Sequence, residues 1–489
     1  QLEMLVSGLA AGEADELRDA GKRDEANAKA EEALAALSRA ELASPSDLFA
    51  PLRRVQILRG LAIATQDNAR LDQAIAEADR ILARNAMYWP MVSQRTDLAL
   101  DKRDIKAAIG IVERYLKAQP SSEEGRARLV QMQIASGNVP RAIEVAKEGV
   151  EFRPQDPVSA ERVGELYLST GDAASAAKEF ERAFTLDPKS IVYLEKSANA
   201  RLLAGNPQEA LALLRGASDL VARSPVLRAI GATALAKTGK RDEAIVAGRD
   251  ALVAARALPE KTVENVERTA VVLREMFPPD RPADFEAFIL QSGSPTAVES
   301  AIIADSWMRS GPTGGDKALE WCGKVEAGGE SVQAGVRSAT AMTRGSVLYS
   351  RGDLKGACDA FETAASIAQR NAAALNNAAY LLVKVKNDTA KAFELASLAV
   401  QLAPAQADYL DTLGYVLFKS GKLADAEDVL NKSVAVAPTA SALMHLAQVR
   451  AGQGNVGDAR QLLDRARAKS PDADTAKEIE EITASLKGK

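Results

Sequence analysis

The chain has 489 residues, 67 acidic and 62 basic, with a formal net charge of −5. That length exceeds what one hydrophobic core organises, and the charge balance lacks the basic surplus of a nucleic-acid surface. Aromatic residues are only 4% and no run of 18 apolar residues occurs, so membrane insertion by this segment is not expected.

In chain order, the first signal is the hexapeptide GKRDEA at 21–26, which recurs at 239–244. Residues 41–54 (ELASPSDLFAPLRR) predict a longer connection. Pro120, Pro154 and Pro188 then stand 34 residues apart, as do Pro404 and Pro438. A period of that length marks a solenoid of helix-turn-helix units. Gly-Asn or Gly-Asp recurs at 137–138, 171–172, 205–206, 352–353 and 454–455. Small residues recur at Ala26, Ala74, Ala108, Ala142, Ala176, Ala210, Ala244, Ala357, Ala392, Ala426 and Ala459.

One unit, Pro157 to Pro188, illustrates the pattern. Its first helix places Ala160, Val163, Gly164 and Tyr167 on one face. Gly171 suits the left-handed cap that ends this helix, and Asp172 suits the N-cap of the next. The second helix is predicted to bury Ala176, Phe180 and Ala183, and Ser190 to cap the following unit. Pro207 falls at a first helical position, where its missing N–H costs nothing.

The expected organisation is a first array over 1–256 of about seven units and an irregular joint over 257–296. A second array over 297–473 has about five units, and a polar capping helix over 474–489 follows. Within the joint, FPPDRP and SGSP flank an amphipathic stretch with Phe285, Phe288 and Leu290. The first unit of the second array is divergent, with Trp307 and Trp321 as core and GPTGG at 311–315 as an inter-helix loop. The fold class expected throughout is all-α.

These residues resemble the tetratricopeptide repeat family. Its pattern of a large residue, Leu-Gly, Tyr, Ala, Phe, Ala and Pro is met by Ala160, Val163-Gly164, Tyr167, Ala176, Phe180, Ala183 and Pro188. A second match is Leu410, Leu413-Gly414, Leu417, Ala426, Leu430, Ser433 and Pro438. About eleven or twelve units cover most of the chain. The resemblance implies an α-solenoid winding as a right-handed superhelix, with first helices lining a concave groove.

Read off by that resemblance, the groove of the first array carries Gln131, Glu161, Arg162, Glu165, Glu195, Lys196 and Asn199, a mixed polar surface. The units nearest the C-terminus are richer. Asn376 stands opposite Asp411, Asn377 opposite Thr412, Lys384 opposite Lys419, and Tyr380 opposite Tyr415; the last unit adds His445 and Gln448. Asparagines pair with both N–H and C=O of an extended peptide, lysines receive carboxylates, and tyrosines offer a flat apolar face. Chaperone-binding members clamp a C-terminal carboxylate with Lys, Asn and Arg; here Asn and Lys occur without the full spacing. The alternative is that Tyr380 and Tyr415 pack against the next unit and that His445 is an incidental surface or groove residue.

The single histidine removes multi-histidine metal sites, and a serine triad would have His445 as its only base with no Gly-x-Ser-x-Gly elbow. Cys322 and Cys358 lack zinc or redox spacing and read as two small buried thiols. GPTGGDK at 311–317 lacks the ending of a phosphate loop. No enzyme activity, metal or cofactor is expected. The leading expectation is a scaffold binding a protein or peptide partner in its groove. Leu375 to Pro438 is similar to units of bacterial envelope proteins linked to exopolysaccharide assembly and secretion, which favours the periplasm or cell envelope over the cytoplasm. The alternative is a docking or regulatory fragment of a longer protein. The start at Gln1 rather than Met fits a mature form or an excised piece. A third is self-assembly; the sequence leaves the oligomeric state open.

Overall fold

Helices start and stop where local chemistry tells them to. Asp172 accepts a hydrogen bond from the Ser175 amide at 2.9 Å, and Ser190 accepts one from the Tyr193 amide at 3.3 Å. Such caps satisfy amides that the first helical turn leaves without a partner. At the other end, Gly137, Gly171, Gly205, Gly352 and Gly454 all have φ between 77° and 85°. A side chain resists that left-handed region, so one residue type repeats at each turn. Pro207 opens its helix as expected.

The computed structural model describes residues 2–20, 22–65, 67–258 and 262–486; among these, every regular element is helical. Gly21 of the first GKRDEA, and 487–489 of the expected cap, lie outside the described residues. The chain forms two compact bodies, residues 1–170 and 171–489.

The first body contains α1 (Leu2–Asp19), α2 (Arg23–Ala43), α3 (Phe49–Thr65), α4 (Asn68–Leu82), α5 (Trp89–Asp101), α6 (Ile105–Ala118), α7 (Glu123–Ala135), α8 (Val139–Phe152) and α9 (Pro157–Ser169). Each helix packs on the one before it. The long connection expected over 41–54 is absent. Only residues 44–48 separate α2 from α3. Pro51 lies in the first turn of α3, where no hydrogen bond needs its N–H.

The second body continues with α10 (Ala173–Leu186), α11 (Ile191–Leu203), α12 (Pro207–Gly216), a short α13 (Ser218–Arg223), α14 (Pro225–Lys237), α15 (Arg241–Ala257), α16 (Thr262–Arg274), α17 (Pro282–Gln291), α18 (Ala297–Arg309) and α19 (Gly315–Glu326). It ends with α20 (Ala334–Ser350), α21 (Leu354–Ile367), α22 (Ala372–Leu381), α23 (Thr389–Leu402), α24 (Ala407–Lys419), α25 (Leu423–Val436), α26 (Ala440–Gly452), α27 (Val456–Arg467) and α28 (Ala473–Ser485). Residues 382–386, after α22, wind as a π turn.

Within 262–291 the chain is largely helical, and one core runs from Ala229 to Val336. Phe277 meets Phe285 and Phe288 at ring centroid distances of 5.8 and 5.4 Å. Leu290, grouped with those rings by sequence, is exposed. Trp321 is buried in this core beside Cys322, and Trp307 packs at its edge.

Alanines hold the helix pairs together. Ala74, Ala108, Ala142, Ala176, Ala210, Ala244, Ala357, Ala392, Ala426 and Ala459 are fully buried. A methyl at the contact lets two backbones approach closely, and larger residues such as Phe180 and Leu430 fill the space beside it. α28 places Ile479 in the last core, joined there by Leu486 just after it, and leaves Asp474, Glu480 and Glu481 exposed.

Candidate functional site

α22, α24 and α26 are the first helices of three consecutive helix pairs, and they pack side by side. The repeat brings Asn376, Asp411 and His445 to equivalent positions, 35 and 34 residues apart. Tyr380 and Tyr415 follow four residues later on their helices. Their rings touch, with centroids 5.7 Å apart, and Tyr415 stacks on the His445 imidazole at 4.5 Å and 27°. The three rings form a continuous ladder across three helices.

Hydrogen bonds fix the ladder's far end. His445 Nδ1 lies 2.7 Å from Asp411 Oδ1, and the Ser441 hydroxyl donates to Asp411 Oδ2 at 2.6 Å. His445 is only 2% exposed, which corrects the expectation of an incidental surface residue. An imidazole there needs a polar partner, and Asp411 supplies it. Ser441 and His445 both engage the carboxylate. The serine lacks the hydrogen bond to imidazole that would activate it as a nucleophile.

Lysines flank the other two rings. Lys384, in the π turn, lies 5.3 Å from the Tyr380 ring centroid. It donates to the Tyr380 hydroxyl at 3.1 Å and to Glu478 Oε1 of α28 at 2.7 Å. Burial opposes its charge, but these two bonds outweigh burial and hold its pKa above the ordinary lysine value. Lys419 lies 5.8 Å from the Tyr415 centroid. Burial pushes the Tyr415 phenol up to about 12, so it stays a neutral ring.

Asn376 is 9% exposed; its Nδ2 donates to Asn377 Oδ1 at 3.4 Å, while its Oδ1 is buried without a partner. Gln448 Oε1 is likewise buried and unpartnered. Thr412 is buried on α24. Thus Tyr380, Lys384, Asp411, Tyr415, Lys419 and His445 form one connected set. Asn376 and Asn377 form a pair, and among the described residues no side-chain hydrogen bond or ring contact joins Thr412 or Gln448 to either. Sequence reasoning missed Ser441 and Glu478. Glu478 lies 94 residues from Lys384, with no local signal to join them.

The polar residues of the first-array reading do not gather in one place. Gln131, Arg162 and Glu165 border a cavity of about 470 Å³ in the first body, floored by Val130, Ile134 and Phe152. Arg126 lies over the Phe152 ring, and Glu123 holds both Arg153 and Arg162. In the second body Glu195 is buried; it accepts from Ser224 Oγ at 2.8 Å and pairs with Arg268. Lys196 lies over the Phe180 ring, and Asn199 is exposed. Among the described residues no cluster of His, Cys, Asp and Glu could hold a metal ion.

Paired helices, repeated small contacts and a ring-lined row of first helices define an α-solenoid of helix-turn-helix repeats. Tetratricopeptide repeat models match residues 95–157, 412–474 and 161–190, and the chain is a tetratricopeptide repeat protein. Among solved structures, one titled as Naa15/Naa10 bound to HypK-THB is 14% identical. It covers 99% of this chain and 78% of its own, with a TM-score of 0.35. YrrB, titled a TPR protein with an unusual peptide-binding site, is 21% identical over 38% of this chain and 92% of its own, with a TM-score of 0.30. A thermophilic TPR protein of Thermus thermophilus is 14% identical over 39% and 98%, also with a TM-score of 0.30. No curated protein sequence matches the chain.

Proposed function

We propose that this protein-interaction scaffold is non-catalytic and holds a peptide or protein segment across α22, α24 and α26. The observation that carries the reading is the Tyr380–Tyr415–His445 ladder beside a buried acceptor, Asn376 Oδ1, that has no partner. A buried acceptor left unmade costs free energy, and a peptide N–H is a donor that would meet it. Flat rings bury apolar side chains at little entropic cost, while their polar edges tolerate water. No described helix is long and apolar enough to cross a membrane. The docking fragment of a longer protein is the same reading with the chemistry placed elsewhere.

The test is selection of peptides from a random display library on the full chain, repeated with Asn376→Ala and Tyr415→Ala. Helicity measured by circular dichroism should be unchanged in both. Loss of one good hydrogen bond or of one ring contact weakens binding by roughly ten-fold. Selected peptides that bind both variants as well as the parent would remove this groove as the site. The first-body cavity around Phe152 would then be the next surface to probe.

A further inference from the structure

At the break in the repeat lies a cavity of about 600 Å³, bordered by the turn between α14 and α15, the FPPDRP loop before α17 and the end of α18. A volume of that size suits a small molecule. Its border carries four cations, Lys237, Arg241, Arg274 and Arg309, and one carboxylate, Glu275. Arg274 and Arg309 donate to the same oxygen, Asp305 Oδ2, at 2.6 and 2.7 Å. A guanidinium has five N–H donors, so one shared oxygen leaves most of them for a ligand. Asp284 is shared likewise, by Arg281 at 3.0 Å and Arg241 at 3.6 Å. Lys237 is exposed, and among the described residues no carboxylate forms an ion pair with it.

Helix dipoles alone favour cations at the ends of α14, α16 and α18, where Lys237, Arg274 and Arg309 stand. They disfavour a cation at Arg241, the first residue of α15, and at Arg281, the N-cap of α17. Cations therefore converge here from both kinds of helix end. They form two pairs, Arg274 with Arg309 through Asp305, and Lys237 with Arg241 across one turn. We propose that the cavity binds a diphosphate group, one phosphate on each pair, with the organic body of the ligand against Phe277, Pro278 and Pro279. A guanidinium meets two phosphate oxygens with parallel charge-assisted bonds, and lysine adds a point charge. A single carboxylate would satisfy one pair and leave the other. Proline fixes the backbone of that wall, so the wall is formed before the ligand arrives. The site is separate from the groove of α22, α24 and α26 and does not depend on it.

The experiment is equilibrium dialysis of the full chain against pyrophosphate in about 150 mM salt, where distant exposed charges are largely screened. One pyrophosphate per chain is expected, held at least about ten-fold more tightly than inorganic phosphate. Lys237→Glu and Arg309→Gln should each weaken binding by about ten-fold. Lys355→Glu, the same charge change on an exposed lysine of α21, should leave it unchanged. Circular dichroism should show the parent's helicity in all three. A nucleoside diphosphate and a prenyl diphosphate, added as competitors, distinguish a flat body from an alkyl one. At least one should displace labelled pyrophosphate at lower concentration than unlabelled pyrophosphate does, and the better of the two names the body. If neither does, the organic wall is overturned. Inorganic phosphate bound as tightly as pyrophosphate overturns the two-headed ligand. No saturable binding, or equal weakening by Lys237→Glu and Lys355→Glu, overturns the site itself.

Discussion

Gly345 on α20 faces the ring of Phe361 on α21, and a Cβ there would lie 2.6 and 2.7 Å from two ring carbons. Ordinary contact begins near 3.4 Å, so Gly345→Ala requires a displacement close to 1 Å. Phe361 is 4% exposed and has packed neighbours, so the ring cannot simply swing away. Overpacking of this kind costs about 1–3 kcal/mol, and alanine returns about 1 kcal/mol of helix propensity, for a net loss of about 0–2 kcal/mol. Gly323 on α19 has nothing within 4 Å of its Cβ position. There the same substitution should stabilise by about 0.5–1 kcal/mol. Adding Phe361→Leu to Gly345→Ala should cost less than the sum of the two by at least about 0.5 kcal/mol, since the smaller side chain makes room. Urea unfolding followed by circular dichroism reads all four variants, with hydrogen exchange at α20 and α21 to catch local opening. If Gly345→Ala stabilised as much as Gly323→Ala, the close approach of α20 and α21 would be refuted.

Two further outcomes follow from buried groups. Glu299 is fully buried; it accepts from Arg256 at 3.0 and 2.8 Å and closes a capping box with Thr296. Glu299→Ala removes both, and unfolding curves should show a loss of about 3 kcal/mol or more; a loss under about 1 kcal/mol would refute the buried pairing. Burial pushes the Cys322 thiol up to about 12 and the Cys358 thiol up to about 11. Below those values the reactive thiolate is scarce. Alkylation at pH 8 should therefore be slow in the folded chain and complete for both thiols in denaturant. Rapid reaction of both in the folded state would contradict their burial.

What sequence conveys here is set by distance along the chain. The turn at Gly171–Asp172 involves neighbours within three residues, so residue type alone marks it. The alanine positions are legible because a tight contact is repeated with a fixed period. Residues 41–54 mislead because a proline in a first helical turn reads like one in a loop. The site is legible only in part. Tyr380 and Tyr415 announce themselves by repetition, yet the partners that orient the cluster do not. Asp411 meets His445 through the packing of two helices, and Glu478 reaches Lys384 from the far end of the array. Burial of His445 follows from its repeat position, which a polar residue type disguises.

Because His445 is the chain's one histidine and sits against the Tyr415 face, the ring ladder carries its own spectroscopic label. Its Cε1 proton resonates downfield of most other carbon-bound protons, and the ring current of the stacked tyrosine shifts it upfield from there. Any ligand that slides along the ladder alters that current. Occupancy can therefore be followed in D2O by one-dimensional proton magnetic resonance, with no isotope, dye or engineered residue.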